Sequence, residues 1–283
     1  DICDYYYETQ RFDQQCSEAL EILEKTGELE NTLVVVTGDN GWPFPRSKGG
    51  CYDSGTHQVL AMRWGAKAKP NRVVDDFVSL SDLAPTFLEV AGLKVPPNMT
   101  ARSLVPILLS EKSGRIDPAR GHTLTGMERH VLDGRSDGDQ TNVGYPMRTL
   151  ITEEFHYIRN FRPNRWPAGD LRQGPLPPED VVKSNTHVIF GDCDSGPTKA
   201  FFVVHVDESD VRPFWERAFA KRPARELYDK RKDPFELRNV AEEPAYAEIV
   251  KEMDERLMSE LKVTGDPRAV GEGDQFDRYK GKK

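Results

Sequence analysis

The sequence predicts an α/β core followed by a smaller α+β part with an antiparallel sheet, and three observations carry that reading. Thr32-Leu33-Val34-Val35-Val36 is a continuous β-branched run of the kind found in strands covered on both faces, and it runs straight into a Gly38-Asp39-Asn40-Gly41 turn. Strand and helix patterns alternate through the first half of the chain, as in layered α/β proteins. The second half instead shows a hairpin pattern and closes on one long helical stripe.

Taken in order, residues 8–26 place Phe12, Cys16, Ala19, Leu20 and Leu23 at helical spacing, with Gly27 where a left-handed residue would end the helix. The strand ending at Val36 follows, and a second is expected over Gln58 to Trp64. "DDFVSLSDLAPTFLEVAGL" reads as a short strand, a capping box from Ser79 to Asp82, and a helix stopped near Gly92. His122 to Leu132 reads as one more core strand with its exit loop. The glycine-bearing loop "LDGRSDGDQTN" then sets a domain boundary, giving 1–143 as the α/β core and 144–283 as the smaller subdomain. Beyond it a hairpin is expected, with strands around Arg148–Thr152 and His156–Phe161, then a proline-rich irregular stretch. "KAFFVVHV" reads as a strand, and "ELYDKRKDPFELRNVA" as cover for one face of the subdomain's sheet. Tyr246, Ile249, Val250, Met253, Leu257 and Leu261 share a face of the closing helix.

Composition narrows the function. With 39 Lys and Arg against 47 Asp and Glu, the formal charge is −8, so no basic field is available for a nucleic-acid backbone. The longest apolar runs, Leu33 to Val36 and Phe201 to Val204, fall far short of the roughly 20 residues that span a bilayer. Cys3, Cys16, Cys51 and Cys193 show no C-x-x-C spacing, which argues against zinc and against a disulfide scaffold while leaving a single disulfide open. No targeting segment is visible in "DICDYYYETQRF", and this start reads like the middle of something longer.

The chemistry gathers at the end of the first strand. Open α/β sheets bind ligands outside the carboxyl ends of their strands, and Asp39 and Asn40 bring a carboxylate and an amide oxygen there, both hard ligands. Taken alone, Asp-Asn-Gly is more ordinarily the chemistry of a tight turn. Lys48 in "RSKGG" adds a cation suited to an anionic group, although a loop lysine is commonly just a solvated charge. Tyr52, Asp53 and His57 then lead back toward the next strand. Trp166 fits sugar stacking or packing, the latter being the more ordinary role.

"TLVVVTGDNGWPFPRSKGGCYDSGT", "FVSLSDLAPTFLEVAGL", "RSLVPIL" and "ELYDKRKDPFELRNVAEEP", in that order, resemble the sulfatase family, whose fold is alkaline-phosphatase-like. "GDNGWPFP", "MERH" and "YPMR" resemble its heparan N-sulfatase (sulfamidase-like) branch most. The resemblance implies a hydrolase of sulfate esters or N-sulfate groups on sulfated glycans, with the heparan-type sugars of glycosaminoglycans as the expected class. It implies Asp39 and Asn40 as calcium ligands and Lys48 as the sulfate-contacting cation of a K-G-x-x-Y-E-G-G element, here "KGGCYDSG". Asp53 stands where that element has Glu, Ser54 where it has Gly, and His57 where many members have Arg. His57, Glu128, Arg129 and His130 are the implied substrate-binding residues. For His130 an ordinary polar loop role is equally open.

Sulfatases act through a formylglycine made within C-x-P-S-R or C-x-A-x-R, and neither element occurs around any cysteine of this chain. The expectation is therefore a C-terminal portion of a sulfatase, with the nucleophile, the rest of the calcium site and the N-terminal half lying upstream. Such a piece would be inactive alone. A periplasmic, secreted or lysosomal location is what the resemblance implies. A phosphoester or phosphonate hydrolase of the same superfamily, and a non-catalytic anion- or glycan-binding remnant, are the alternatives.

Overall fold

The computed structural model describes residues 1–65, 67–131, 135–171 and 174–278. The chain forms two compact units, Asp1–Asp39 with Gln58–Thr123, and Asn40–His57 with Leu124–Lys283. The expected boundary at 143/144 differs from this division on two counts. The chain passes from one unit to the other at Thr123 and Leu124, and the Asp-Asn-Gly to "YDSGTH" loop groups with the second unit.

The first unit opens with α1 (Ile2–Lys25), capped by the Asp1 carboxylate and followed by Gly27 at φ +77°. The expected amphipathic helix is present and longer than its stripe, yet it buries none of its residues. Strand β1 (Leu33–Thr37) ends just before Asp39. The short helix α2 (Asp53–Thr56) lies in the segment that belongs to the second unit. Strand β2 (Leu60–Trp64) pairs antiparallel with β1, Leu33 opposite Trp64 and Thr37 opposite Leu60.

All five β1 residues are only half-buried, so the double cover expected for this run is not found within the unit. A two-stranded ribbon offers one face to a core, here Trp64 and Val105 with Leu33 and Met62 packed against them. The Ser79–Asp82 capping box forms as expected and leads into α3 (Leu83–Val90). Asp82 also receives the Arg102 amide at 3.0 Å and pairs with buried Arg120 at 2.6 Å. That ties the helix start to the segment before and after α4 (Val105–Leu108).

The second unit is built on a four-stranded sheet. Its order is β3 (His122–Met127), β6 (Met147–Thr152), β7 (Phe155–Asn160) and β8 (Arg225–Asp229), with β4 (Ser136–Asp137) and β5 (Gln140–Thr141) forming a separate small hairpin. The predicted hairpin is β6–β7, paired from Met147 opposite Asn160 to Ile151 opposite His156. "HTLTGM", read as a strand of the first domain's core, is instead an edge strand of this sheet. "ELYD", read as cover, is a strand antiparallel to β7.

Helices α5 (Glu179–Ser184), α6 (Pro197–Val204) and α7 (Arg212–Phe219) enclose a core in which Phe190 stacks on Phe219 at 4.5 Å. The strand expected over "KAFFVVHV" is α6. Pro197 in its first turn presets helical φ, and Ala200 and Val203, three apart, are its fully buried face. Trp166 packs against this core, in keeping with the ordinary role. Helix α8 (Ala247–Val263) buries Val250, Met253, Leu257 and Leu261 against Leu150, Tyr157 and Leu227, as its stripe predicts. Helices α9 (Pro267–Val270) and α10 (Gln275–Arg278) close the described chain. The four cysteines are free, so the disulfide left open by the sequence does not form. No described helix is long and apolar enough to cross a membrane.

Candidate functional site

The loop from Asn40 to His57 is anchored to the sheet from below. Tyr52 is buried and donates its hydroxyl to Glu226 at 2.9 Å, while the Arg46 guanidinium lies 4.0 Å from the centre of the Tyr52 ring. Glu236 accepts the Asp53 amide at 2.9 Å and is itself bonded to buried His156. Gly41 and Gly55 are in backbone contact, N to O at 3.2 Å, and a side chain on either would collide with the loop's own carbonyls. The glycines of this segment are thus required by close approach.

On that fixed loop Lys48 reaches Asp194, Nζ to Oδ2 at 2.9 Å, with the two side chains 30% and 31% exposed. Gly49, at φ +81°, comes so close that a Cβ there would lie 3.0 Å from the Asp192 carbonyl and 3.2 Å from His130 Nδ1. His130 Nδ1 is 3.0 Å from the same Asp192 carbonyl, an acceptor, so this nitrogen carries a hydrogen. Lys48 and His130, both marked from sequence, are therefore drawn together by one loop, "GDCDSG". Asp192 binds the Val131 amide at 3.0 Å and pairs with buried Arg135.

That loop is held from behind by Lys199, whose buried ammonium donates to the carbonyls of Thr186, Phe190 and Cys193 at 3.0, 3.1 and 2.7 Å. Burial holds the Lys199 pKa below its ordinary value. Asp192, Asp194 and Lys199 were not found from sequence. The only signal available was two aspartates in a glycine-bearing loop, which matches any turn.

The other predicted residues lie apart from this cluster. Glu128 is held by Arg148 at 2.7 Å and Arg268 at 2.8 Å, and Arg129 donates to the Phe276 carbonyl at 3.0 Å. His57 is 76% exposed and pairs with Asp53 at 3.3 Å. That hydrogen bond raises the His57 pKa and lowers that of Asp53. Asp39 and Asn40 are both exposed at the strand end. The Asp39 carboxylate has no hydrogen-bond or ion-pair partner among the described residues, and Asn40 spends its Nδ2 on the Gly41 carbonyl at 2.9 Å, which leaves its Oδ1 as an acceptor.

Two hard oxygens fit a calcium ligand set in kind but not in number, since Ca²⁺ takes 6–8. Among the described residues no three His, Cys, Asp or Glu side chains are grouped to hold a metal. Burial also pushes the Cys51 and Cys193 thiols up to about 12, which keeps both protonated and unreactive at neutral pH.

Residues 2–93 match the sulfatase family model. Human N-sulphoglucosamine sulphohydrolase is 26% identical over 283 residues, covering 94% of this chain and 49% of that protein. The chain thus spans about half the length, or less, of the curated relatives it matches. The fold superimposes on BT4656, solved with its substrate D-glucosamine-2-N,6-O-disulfate, with a TM-score of 0.53 at 19% identity over 90% of this chain and 40% of that one. It also superimposes on a phosphonate monoester hydrolase from Silicibacter pomeroyi, with a TM-score of 0.57 at 20% identity over 89% of this chain and 39% of the other. In sequence and in fold the chain is sulfatase-like, with a mixed α/β, alkaline-phosphatase-like architecture that includes antiparallel sheets.

Proposed function

We propose that this chain carries the distal, sulfate-contacting part of a sulfatase that acts on sulfated sugars of the heparan type. The observation that carries the reading is Lys48, a partly exposed cation fixed on an anchored loop and gathered with His130 around the Asp192–Asp194 segment. An ammonium held in place before the substrate arrives stabilises charge growing on sulfate oxygens without reorganising during the reaction. His130, with its Nδ1 hydrogen fixed by a carbonyl, offers Nε2 to a sugar hydroxyl.

Asp39 and Asn40 would supply two oxygens to Ca²⁺, with the rest of the ligand set coming from outside the described residues. When bound, the ion would add Lewis-acid stabilisation of the sulfate oxygens. The nucleophile, a formylglycine in this reading, lies outside these 283 residues, because no C-x-P-S-R or C-x-A-x-R element occurs in them. An exported or lysosomal setting accords with the same reading.

The purified chain is expected to bind p-nitrophenyl sulfate without hydrolysing it, and Lys48→Ala is expected to abolish that binding. Turnover by the chain alone, or binding indifferent to Lys48→Ala, would overturn the proposal. A second reading, hydrolysis of phosphonate monoesters, is raised by the shared fold with such an enzyme, at a TM-score of 0.57. It predicts tighter Lys48-dependent binding of an aryl phosphonate monoester than of the aryl sulfate.

A further inference from the structure

We propose that Asp194 is a charge filter, a specificity-determining residue that makes the Lys48 site favour monoanionic sulfate groups over dianions. The inference rests on the reading of Lys48 as the sulfate-contacting cation and adds a role for its partner. The geometry is simple. Lys48 Nζ and Asp194 Oδ2 are 2.9 Å apart, each side chain about a third exposed, so an incoming oxyanion meets both charges at once.

Among the described residues, the neighbouring Asp192 does not alter the count. Asp192 is paired with the Arg135 guanidinium and bound to the Val131 amide, and His130 directs Nδ1 at the Asp192 carbonyl. Asp194 is also not free to drift away. Cys193, just before it, is tied through its carbonyl to Lys199 at 2.7 Å, and Ser195, just after it, through its amide to Thr186 Oγ1 at 3.1 Å. The carboxylate therefore stays beside Lys48 when a ligand arrives.

A lone ammonium attracts a dianion about twice as strongly as a monoanion at the same distance. An ammonium with a carboxylate beside it carries no net charge, so the second charge of a dianion gains almost nothing from the pair. The ligand then holds on through directed hydrogen bonds from Nζ, which a monoanion accepts as well as a dianion does. A sulfate monoester or sulfamate carries one negative charge. Inorganic sulfate, the product of its hydrolysis, carries two, and so does a phosphate monoester above its second pKa of about 6. Asp194 thus works in two directions: it admits the ester against phosphate competitors, and it weakens the hold on the product.

The test compares p-nitrophenyl sulfate with p-nitrophenyl phosphate, which share an aryl group and differ in charge at pH 8. Binding to the full 283-residue chain is followed through the Lys48 and Gly49 amide resonances. The unmodified chain is expected to bind the sulfate at least as tightly as the phosphate. In Asp194→Asn, which keeps size and hydrogen bonding, affinity for the phosphate and for inorganic sulfate is expected to rise about fivefold or more, and that for the aryl sulfate by much less. An equal rise for all three ligands would mean that Asp194 merely competes for Lys48, and would overturn the filter, as would no change. Lys48→Ala separates the two levels. If it leaves binding of every ligand unaltered, the sulfate-contacting reading itself fails; if it abolishes binding while Asp194→Asn leaves the ligand ratio unchanged, only the filter fails.

Discussion

Two charged clusters in the second unit contrast with each other. Around Glu128, two guanidiniums close on one carboxylate. Arg148 also reaches Asp266 at 2.7 Å, and Asp266 in turn caps α9 by accepting the Arg268 amide at 2.8 Å. The Arg148 and Arg268 side chains are only 10% and 3% exposed. Around Lys48 a single pair stands at the surface, one contact deep. Both groups were marked from sequence as candidates for substrate contact, but only the second is open enough for a ligand to reach its cation while the paired carboxylate stays in place. A saturated network fixes structure, and an under-satisfied pair can respond to what binds it.

The sharpest way to break this contrast is Glu128→Ala, which takes one carboxylate from two largely buried guanidiniums and leaves Arg148 to Asp266 and Arg268 to the more distant Asp274 and Asp277. The expected loss is about 2 kcal/mol of stability, read from the denaturant midpoint. A loss under about 1 kcal/mol would mean that the network is solvated in practice and that Glu128 is free to serve a substrate after all. Lys48→Ala should do the opposite. A pair this exposed contributes less than about 1 kcal/mol, so the variant should unfold at nearly the same midpoint while losing its anion. A large stability loss there would move Lys48 into the structural class and weaken the case for its role in binding.

The sequence was legible where local pattern and packing agree. The α8 stripe, the β6–β7 hairpin and the Ser79–Asp82 box are each specified by residues a few positions apart, and each forms where expected. Local pattern misled where a short apolar run fits two periods. "KAFFVV" suits a strand as well as a helix, and Pro197 within the first turn, rather than the apolar residues, settles it for α6. The β1 run announced a strand but not its neighbours, since the pairing with β2 and the half-burial of its side chains depend on distant residues. The same limit applies at the site. Lys48 stands out because lysine and glycine sit beside a characteristic turn, whereas Asp194 lies 146 residues away in a loop with no distinguishing feature. Charge pairing across such a separation is a property of the fold and leaves no local mark.

The smallest expected effect is a pH dependence, and it sharpens the contrast at its solvent-exposed end. His57 and Asp53 form an i,i+4 pair at 3.3 Å, with His57 76% exposed. The hydrogen bond raises the folded pKa of His57 above its ordinary 6.5 and lowers that of Asp53 below its ordinary 3.8. The histidine's contribution is therefore fully present below pH 6.5 and fades as pH rises through the raised value. The aspartate's contribution is present above 3.8 and fades as pH falls through the lowered one. Both hold together only in the mildly acidic window between. Solvent screening limits the pair to about a few tenths of a kcal/mol there. Comparing His57→Gln with the unmodified chain should thus give a small stability difference near pH 5 that vanishes by pH 8. A difference that grows with pH instead would show that His57 acts as a neutral ring in a packed environment. It would then belong with the saturated network around Glu128 rather than with the open surface of the loop that carries Lys48.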